Sequence, residues 1–267
     1  MAILIILIVL IALYLLAMMG RRNHPGMKKL SGWSYAHRGL HGNGVPENSM
    51  AGFRKALEKG YGIELDLHLL ADGGLAVIHD AALKRTTGAE GFIEDLTLAD
   101  LKNYHLEGTE ETIPAFTQVL ELFAGKAPMI VELKAERGNA AALCQAACDL
   151  LEGYEGDYCI ESFDPRCILW LRKNRPEIIR GQLSQNFLKN KGNLSWPVRF
   201  ALTNLLTNFL TRPDFLAHNF AHRQDLAPTI CEKLWGIQGV SWTLRRKEDY
   251  DTAVSEGKWP IFEGFEP

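Results

Sequence analysis

The stretch YGIELDLHLLADGGLAVIHD, residues 61–80, determines how the rest of the chain is interpreted. Within it, Glu64, Asp66 and His68 alternate with aliphatic residues, which is the period of a strand whose two faces meet different surroundings. Two carboxylates on one face repel each other unless a positive charge lies between them. The pattern therefore predicts a strand with a cationic partner on its polar face.

A second apolar run, LAVIHD, follows after a gap that is too short for a crossover helix. Asp72-Gly73 is a favoured two-residue turn, so the two runs are predicted to form an antiparallel hairpin. This turn would place His79 opposite Asp66, whereas a turn at 73–74 would place it opposite His68. Both alternatives bring a second histidine beside the carboxylates.

Length and composition limit the class of protein. A chain of 267 residues suits one large α/β barrel or two smaller domains. The net charge is −3 and neither sign forms a long run, so nucleic acid is not expected as a partner. The five cysteines lack paired spacing, which indicates buried thiols rather than a disulfide framework.

The N-terminus is a separate feature, because residues 2–19 form an uncharged run at the lower limit for a helix that spans a bilayer. Basic residues follow this run and no charged side chain precedes it. By the positive-inside rule, the sequence predicts a single-pass membrane anchor over 1–20, a basic linker over 21–32, and a body that faces the cytoplasm. The membrane bilayer is thus an expected partner. A cleaved signal peptide is the alternative, although a basic n-region is missing.

From residue 33 onward, short β-rich runs alternate with helical patterns, which predicts a parallel sheet with helices outside it. The strand candidates are 33–38, 63–69, 75–79, 129–134, 157–163, 180–184, 214–219, 239–244 and 260–263. Without the return arm of the hairpin, eight strands remain. This number suits a closed TIM (β/α)8 barrel over 33–267 with a small insertion at 81–113. An open doubly wound sheet is the alternative.

Functional residues of such a barrel gather where the strands end. Three acids from two strands, Glu64, Asp66 and Glu132, are expected to converge there. An all-oxygen set of this kind suits one divalent hard cation, Mg²⁺ or Ca²⁺. The alternative is a group of carboxylates that Arg38 and Lys134 neutralise without a metal ion.

Two histidines complete the predicted chemistry. His37 and His79 are candidates for a general acid and base, because imidazole is well matched to proton transfer near neutral pH. Arg38 and Lys134 would supply positive charge to a phosphate. Together with a cation, these groups predict metal-assisted phosphoryl transfer.

Glu47 and Trp242 each have two interpretations. Glu47 lies in the turn-rich loop 41–49, where it either reaches the metal or orients a ligand, or belongs to an ordinary helix-start loop. In the same loop, Asn48 or Ser49 is expected to cap the following helix. Trp242 either walls the pocket against a glycerol group or fills the core.

Eight blocks of the sequence, in order, resemble the glycerophosphodiester phosphodiesterases: AHRG at 36–39, PENS at 46–49, ELDLHLLADGGLAVIHD at 64–80, LKRTTGAEGFIEDLTLADL at 83–101, IPAFTQVL at 113–120, VELK at 131–134, ESF at 161–163 and SWT at 241–243. The resemblance implies a TIM barrel of the phospholipase C-like phosphodiesterase type with a small insertion and a Ca²⁺ or Mg²⁺ ion. It implies cleavage of a glycerophosphodiester to an alcohol and glycerol 3-phosphate, and gives the acid, base, metal and phosphate roles to the residues named above. The chain departs from the family at its end, where IFEGFEP replaces a threonine-aspartate before a proline and leaves the last strand in question.

The segment 194–211, LSWPVRFALTNLLTNFLT, is unusually apolar for a connection between strands. Either it is a barrel helix with one apolar face, or it is a lip that touches the bilayer and guides lipid substrates to the site. The expected function is hydrolysis of glycerophosphodiesters at the membrane surface, with lysophospholipids as a further substrate class. Direct attack by water and attack by a substrate hydroxyl through a cyclic phosphate both stay open. A catalytically inactive barrel that binds lipid or protein at the membrane is the alternative function.

Overall fold

A computed structural model describes residues 1–190 and 194–267. Its strands are β1 (Tyr35–His37), β2 (Gly62–Leu69), β3 (Leu75–Val77), β4 (Met129–Leu133), β5 (Tyr158–Ser162), β6 (Arg180–Ser184), β7 (Phe215–Asn219), β8 (Gln238–Leu244) and β9 (Trp259–Phe262). All except β3 are parallel to their neighbours, and β1 pairs with both β2 and β9, which closes an eight-stranded barrel. The predicted TIM barrel is confirmed, and β9 is the closing strand that the sequence left in question.

The helices of the described part are α1 (Ala2–Ala17), α2 (Met27–Leu30), α3 (Met50–Glu58), α4 (Lys84–Thr87), α5 (Phe116–Phe123), α6 (Ala140–Leu151), α7 (Pro165–Asn174), α8 (Trp196–Thr203), α9 (Asn208–Thr211), α10 (Leu226–Lys233) and α11 (Lys247–Ser255). Helix starts follow local sequence. The hydroxyl of Ser49 accepts a hydrogen bond from the Gly52 amide at 3.0 Å, so Ser49 is the observed cap of α3. At α7, the Asp164 carboxylate caps the helix and Pro165 takes its first position.

Side chains alternate between the two sides of each barrel strand. Tyr35 and Trp259 belong to a cluster of buried residues inside the barrel. Leu65 belongs to the outer cluster, in which strand residues pack against the surrounding helices. Because successive side chains of a strand point in opposite directions, an outward Leu65 turns Glu64 and Asp66 toward the interior. The predicted apolar and polar faces of β2 are both present.

The hairpin formed by β2 and β3 has a different register from either predicted alternative. Leu67 pairs with Val77, and the backbone hydrogen bond that closes the turn leaves residues 71–73 in the loop. Gly73 has φ of 85°, a conformation that glycine adopts without strain. The loop has three residues rather than two, which shifts the pairing. Both predicted alignments of His79 are therefore wrong.

Residues 81–113 lie on the hairpin and have a small core of their own, in which Ile93 is fully buried. The buried side chain of His68 joins this segment to the barrel. Its Nδ1 lies 2.6 Å from Oε1 of Glu94, and its Nε2 lies 3.1 Å from the backbone oxygen of His79. His68 thus connects the insertion to the strand end that carries His79.

The N-terminal apolar run differs from the prediction. The helix α1 covers 16 residues, and none of the helices in 1–190 and 194–267 combines the length and apolarity needed to cross a membrane. The helix ends at Ala17, and Met18 is fully buried in a cluster that includes Leu205 and Leu216. The predicted single-pass membrane localisation is therefore wrong, and the orientation that depended on it loses its basis.

The basic residues after α1 have partners in the barrel. Arg21 forms a bidentate ion pair with Asp214, at 2.5 and 2.6 Å, directly before β7. Arg22 donates to the backbone oxygen of Leu234 at 2.8 Å. These contacts give a structural role to Arg21 and Arg22, whose positive charges were predicted to set the orientation in the membrane.

The apolar segment 194–211 contains α8 and α9. Val198 and Ala201 of α8 lie beside Ala135 and Phe163, which follow β4 and β5 at the carboxyl end of the barrel. In contrast, α9 packs against α7 in the outer layer. The second half of the segment is thus part of the helical layer, and the first half lies at the rim.

The buried His218 predicts how stability depends on pH. Its Nδ1 lies 2.6 Å from the Ser184 hydroxyl, and burial lowers its pKa from 6.5 to about 4. The folded-state pKa is lower than the unfolded-state pKa, so between pH 6.5 and about 4 the unfolded chain binds the extra proton. The contribution to the free energy of unfolding is complete above pH 6.5 and falls by up to about 1.4 kcal/mol for each pH unit below it.

We expect His218→Gln to reduce the slope of unfolding free energy against pH in this range, whatever its effect near neutrality. Urea unfolding at several pH values measures this slope. His105→Gln, at an exposed position, is the matched control and should keep the wild-type slope. An unchanged slope in His218→Gln contradicts the assignment.

Candidate active site

The predicted functional side chains meet at the carboxyl end of the barrel, around a pocket of about 50 Å³. Its lining residues include His37, Arg38, Glu64, His79, Glu132, Lys134, Glu161 and Trp242. Strand geometry explains this convergence, because residues two apart in β2, or at the end of β4, face the same side. Asp66 lies just beneath the lining, within ion-pair distance of Lys134.

Three carboxylates form the floor of the pocket. One oxygen from each of Glu64, Asp66 and Glu132 lies within 4.8 Å of the others. Asp66 and Glu132 are register partners in adjacent strands, which fixes their proximity. All three are buried. Burial raises the pKa of Glu64 and of Glu132, and the negative charge of Asp66 raises both further.

Two cationic side chains contact this floor. The Lys134 ammonium lies 2.9 Å from Asp66 and 2.7 Å from Glu132, and Arg38 Nε lies 3.4 Å from Asp66. Burial alone would raise the pKa of Asp66, but the positive charge of Lys134, with smaller contributions from His79 and Arg38, lowers it.

The donor set fits a divalent cation. Counting Glu161, four buried carboxylates face two cationic side chains, and within the described residues the ion pairs of Lys134 and Arg38 reach two of them, Asp66 and Glu132. Oxygen ligands are those that Mg²⁺ and Ca²⁺ prefer. A bound cation would give Glu64 and Glu161 a positive partner, whereas burial without one raises the pKa of both and favours their neutral forms.

His37, at the end of β1, is held by a carboxylate that was not predicted from the sequence. The Nδ1 N–H of His37 donates to Oε2 of Glu263 at 2.5 Å, because a carboxylate is an acceptor. Its Nε2 lies 3.9 Å from Glu64. Burial lowers the pKa of His37, and the contact with His37 helps to lower the pKa of Glu263 to about 2. Glu263 thus orients the ring so that Nε2 faces the pocket.

His79 has the same arrangement with a different partner. Its Nδ1 N–H donates to Oδ1 of Asp80 at 2.6 Å, and Asp80 in turn pairs with Arg85 at 2.5 Å. Burial lowers the pKa of His79 to about 4, against the attraction of Asp66. Each histidine therefore has Nδ1 fixed by a carboxylate and Nε2 available for proton exchange.

The model of the glycerophosphoryl diester phosphodiesterase family matches residues 37–262. The chain belongs to this family. A glycerophosphodiester phosphodiesterase of Caldanaerobacter subterraneus is 30% identical over 234 residues, which are 83% of this chain and 89% of that protein. The chain is thus a phosphoric diester hydrolase, and the predicted enzyme class is confirmed.

Two further relatives add detail. A lysophospholipase D of Rattus norvegicus is 32% identical over 136 residues, 46% of this chain and 42% of that protein. A phosphodiesterase of Oleispira antarctica, solved in complex with the product sn-glycerol-3-phosphate, matches with a TM-score of 0.72 at 23% identity. This match covers 88% of this chain and 94% of the other, and it supports the barrel fold of the phosphodiesterase family.

Besides Glu263, two further residues of this phosphodiesterase site were not identified as site residues from sequence. Glu161 is buried and lines the pocket beside Glu132, and its Oε2 has no hydrogen-bond partner in the part of the chain that the structure describes. The sequence signal for Glu161 was its position in β5, two residues before Phe163, which follows the strand. Asn48 is not the helix cap, because Ser49 takes that role. The side-chain amide of Asn48 instead donates to Asp66 at 2.9 Å and positions that carboxylate.

Glu47 and Trp242 occupy different parts of the site. The Glu47 carboxylate pairs with Arg38 at 3.0 Å and with Arg85 at 2.6 Å, so it lies with the guanidinium groups and outside the carboxylate floor. Trp242 lines the pocket and packs edge-to-face on Phe163, with ring centroids 5.6 Å apart. It is therefore placed to contact a substrate.

Proposed function

We propose that this site hydrolyses glycerophosphodiesters to an alcohol and glycerol 3-phosphate with the aid of one divalent cation. The observation that supports this proposal most strongly is the convergence of three buried carboxylates within 4.8 Å, beside two histidines. Each histidine is oriented by a carboxylate at Nδ1. A cluster of carboxylates beside two oriented histidines suits a site that moves protons next to a phosphate bound to a metal ion.

The cation would be held by Glu64, Asp66 and Glu132. When bound, it supplies Lewis-acid stabilisation of the negative charge on the phosphoryl oxygens. Arg38 and Lys134 add positive charge from the side of the pocket, and Glu47 keeps the Arg38 guanidinium in place. These residues bind and orient the phosphate for attack.

His37 and His79 act as the acid and base pair. One Nε2 removes a proton from the attacking oxygen, and the other donates a proton to the alcohol oxygen as the bond between that oxygen and phosphorus breaks. The attacking oxygen belongs either to water or to a substrate hydroxyl. In the second case a cyclic phosphate forms first, and water then opens it to give the same product.

A lysophospholipid is a second candidate substrate, because the lysophospholipase D of Rattus norvegicus is 32% identical over 46% of this chain. It contains the same glycerophosphodiester unit with an acyl chain on the glycerol. The same residues would cleave the bond between phosphorus and the head-group alcohol and release an acylated glycerol phosphate.

Phosphorus NMR of the purified protein with glycerophosphocholine tests the activity. The expected result is a glycerol 3-phosphate resonance that appears with Ca²⁺ or Mg²⁺, preceded by a cyclic phosphate resonance if the substrate hydroxyl attacks. Phosphocholine as the product would show cleavage on the other side of phosphorus and contradict the proposal.

A further inference from the structure

A groove runs along the rim of the barrel next to the active-site pocket, with a volume of about 550 Å³. We call it the rim groove, and its apolar walls include Ala135, Phe163, Phe187, Val198, Ala201 and Leu202. Its size is within the range of about 300–1,000 Å³ that is typical of small-molecule sites. One wall comes from α8, the first half of the apolar segment that the hydrolytic chemistry does not use.

The rim groove adjoins the active-site pocket. Phe163 lines both cavities. Lys134 lines the pocket, and the next residue, Ala135, lines the groove. Phe163 also packs edge-to-face on Trp242 on one side and on Phe187 on the other, at 5.6 and 6.1 Å between centroids. A row of three aromatic rings therefore leads from the phosphate site into the groove.

The charges at the rim groove are satisfied within the protein. Among the described residues that line it, the charged side chains are Asp164 and Arg166. They pair with each other at 2.6 Å, and Asp164 also accepts from the Arg166 backbone amide at 2.8 Å. A charged or strongly hydrated ligand would find no free counter-charge there. A hydrocarbon chain can bury its surface without desolvating an ion.

We propose that the rim groove binds the acyl chain of an acylated glycerophosphodiester whose phosphate occupies the active site. This proposal rests on the proposed function. The glycerol unit lies against Trp242, and the chain attached to it passes Phe163 into the groove. The head-group alcohol leaves on the side away from α8.

Lysophosphatidylcholines with hexanoyl, octanoyl and decanoyl chains, used below their micellar concentrations, test the proposal. In the wild type, kcat/KM should rise with each added methylene by up to about fourfold, the factor expected for burying one such group. Glycerophosphocholine, which has no chain, is the reference substrate.

Val198→Asp places a charge in the groove wall at a residue that is 42% exposed, so the protein should still fold. We expect the increase per methylene to fall below about twofold, because a charged wall disfavours the chain. Val254→Asp is the matched control, since Val254 is 47% exposed on α11 and outside the groove. It should keep the wild-type increase.

Ala201→Trp fills the groove with a bulky apolar side chain and should also reduce the chain-length increase. Ala141→Trp, at an exposed position of α6, is its control. A wild type that cleaves glycerophosphocholine with no increase along the acyl series refutes the groove assignment and leaves the proposed function intact. Equal increases in Val198→Asp and Val254→Asp refute it as well.

If the wild type cleaves neither substrate class, the proposed function fails. The groove is then tested by calorimetric binding of decanoyl lysophosphatidylcholine. Binding that is at least about tenfold weaker in Val198→Asp than in Val254→Asp supports the groove, and equal binding overturns it.

Discussion

Replacing His37 or His79 by Asn lowers kcat for glycerophosphodiester hydrolysis by about 10²–10⁴-fold. Asparagine keeps a polar group of similar size but cannot exchange a proton near neutral pH. The structural cost is small, because each substitution removes one side-chain hydrogen bond, worth about 1 kcal/mol. The thermal midpoint should therefore fall by only about 2–4 °C. Steady-state kinetics and thermal unfolding of the same preparations measure both quantities.

His105→Asn is the matched control, since His105 is exposed and lies outside the pocket. It should retain wild-type kcat. Full activity in either pocket variant would falsify the acid and base assignment for that residue. A collapse of the thermal midpoint in parallel with kcat would instead make the histidine a structural group.

Removing the divalent cation has the second large effect. We expect EDTA to lower the rate by about 10³-fold or more, because the cation supplies several kcal/mol of transition-state stabilisation. Excess Ca²⁺ or Mg²⁺ should restore it. Asp66→Asn should cause a comparable loss that added cation does not reverse, because a neutral amide replaces the central carboxylate of the floor.

A readout independent of activity accompanies this test. A cation that binds only the folded protein, at a hundred times its dissociation constant, adds about 2.7 kcal/mol to the free energy of unfolding. The thermal midpoint of the wild type should then rise by about 5–10 °C. The shift should disappear in Asp66→Asn and persist in Asp251→Asn, a control at an exposed position of α11. Activity that survives EDTA, with no thermal shift, removes the cation from the proposal.

The barrel and most of the pocket could be predicted from sequence because strand periodicity determines which side chains share a face. The spacing of Glu64 and Asp66 placed both inside the barrel, and the position of Glu132 at the same level of a neighbouring strand followed from parallel pairing. The motifs around His37 and His79 placed both histidines at the same end. Local pattern and barrel geometry thus agree on the centre of the site.

The partner of His37 could not be predicted because it comes from a distant part of the chain, whereas His79 pairs with its neighbour Asp80. Glu263 reaches His37 across a separation of 226 residues, after β9 closes against β1. Arg85 reaches Glu47 from the insertion. The periodic pattern of a single strand or helix carries no information on such contacts. Glu263 also lies in the C-terminal stretch that departs from the family pattern, so the resemblance did not point to it.

The two wrong predictions have different physical causes. The hairpin register depended on one residue of loop length, which the turn sequence around Gly73 allows in more than one way. The membrane anchor was inferred from the length of the uncharged run and from the basic residues that follow it. Met18 belongs to the apolar run but is buried in a cluster with barrel residues. The number of apolar residues in the run therefore overstates the length of the helix.

The link through His68 limits how this enzyme can be recombined with its relatives. A chimera that imports residues 81–113 from another member also imports a new neighbour at position 94, and position 68 must match it. Otherwise the imported segment can fold and still leave the backbone of His79 without its hydrogen bond. Positions 68 and 94 should therefore be exchanged together in any such chimera.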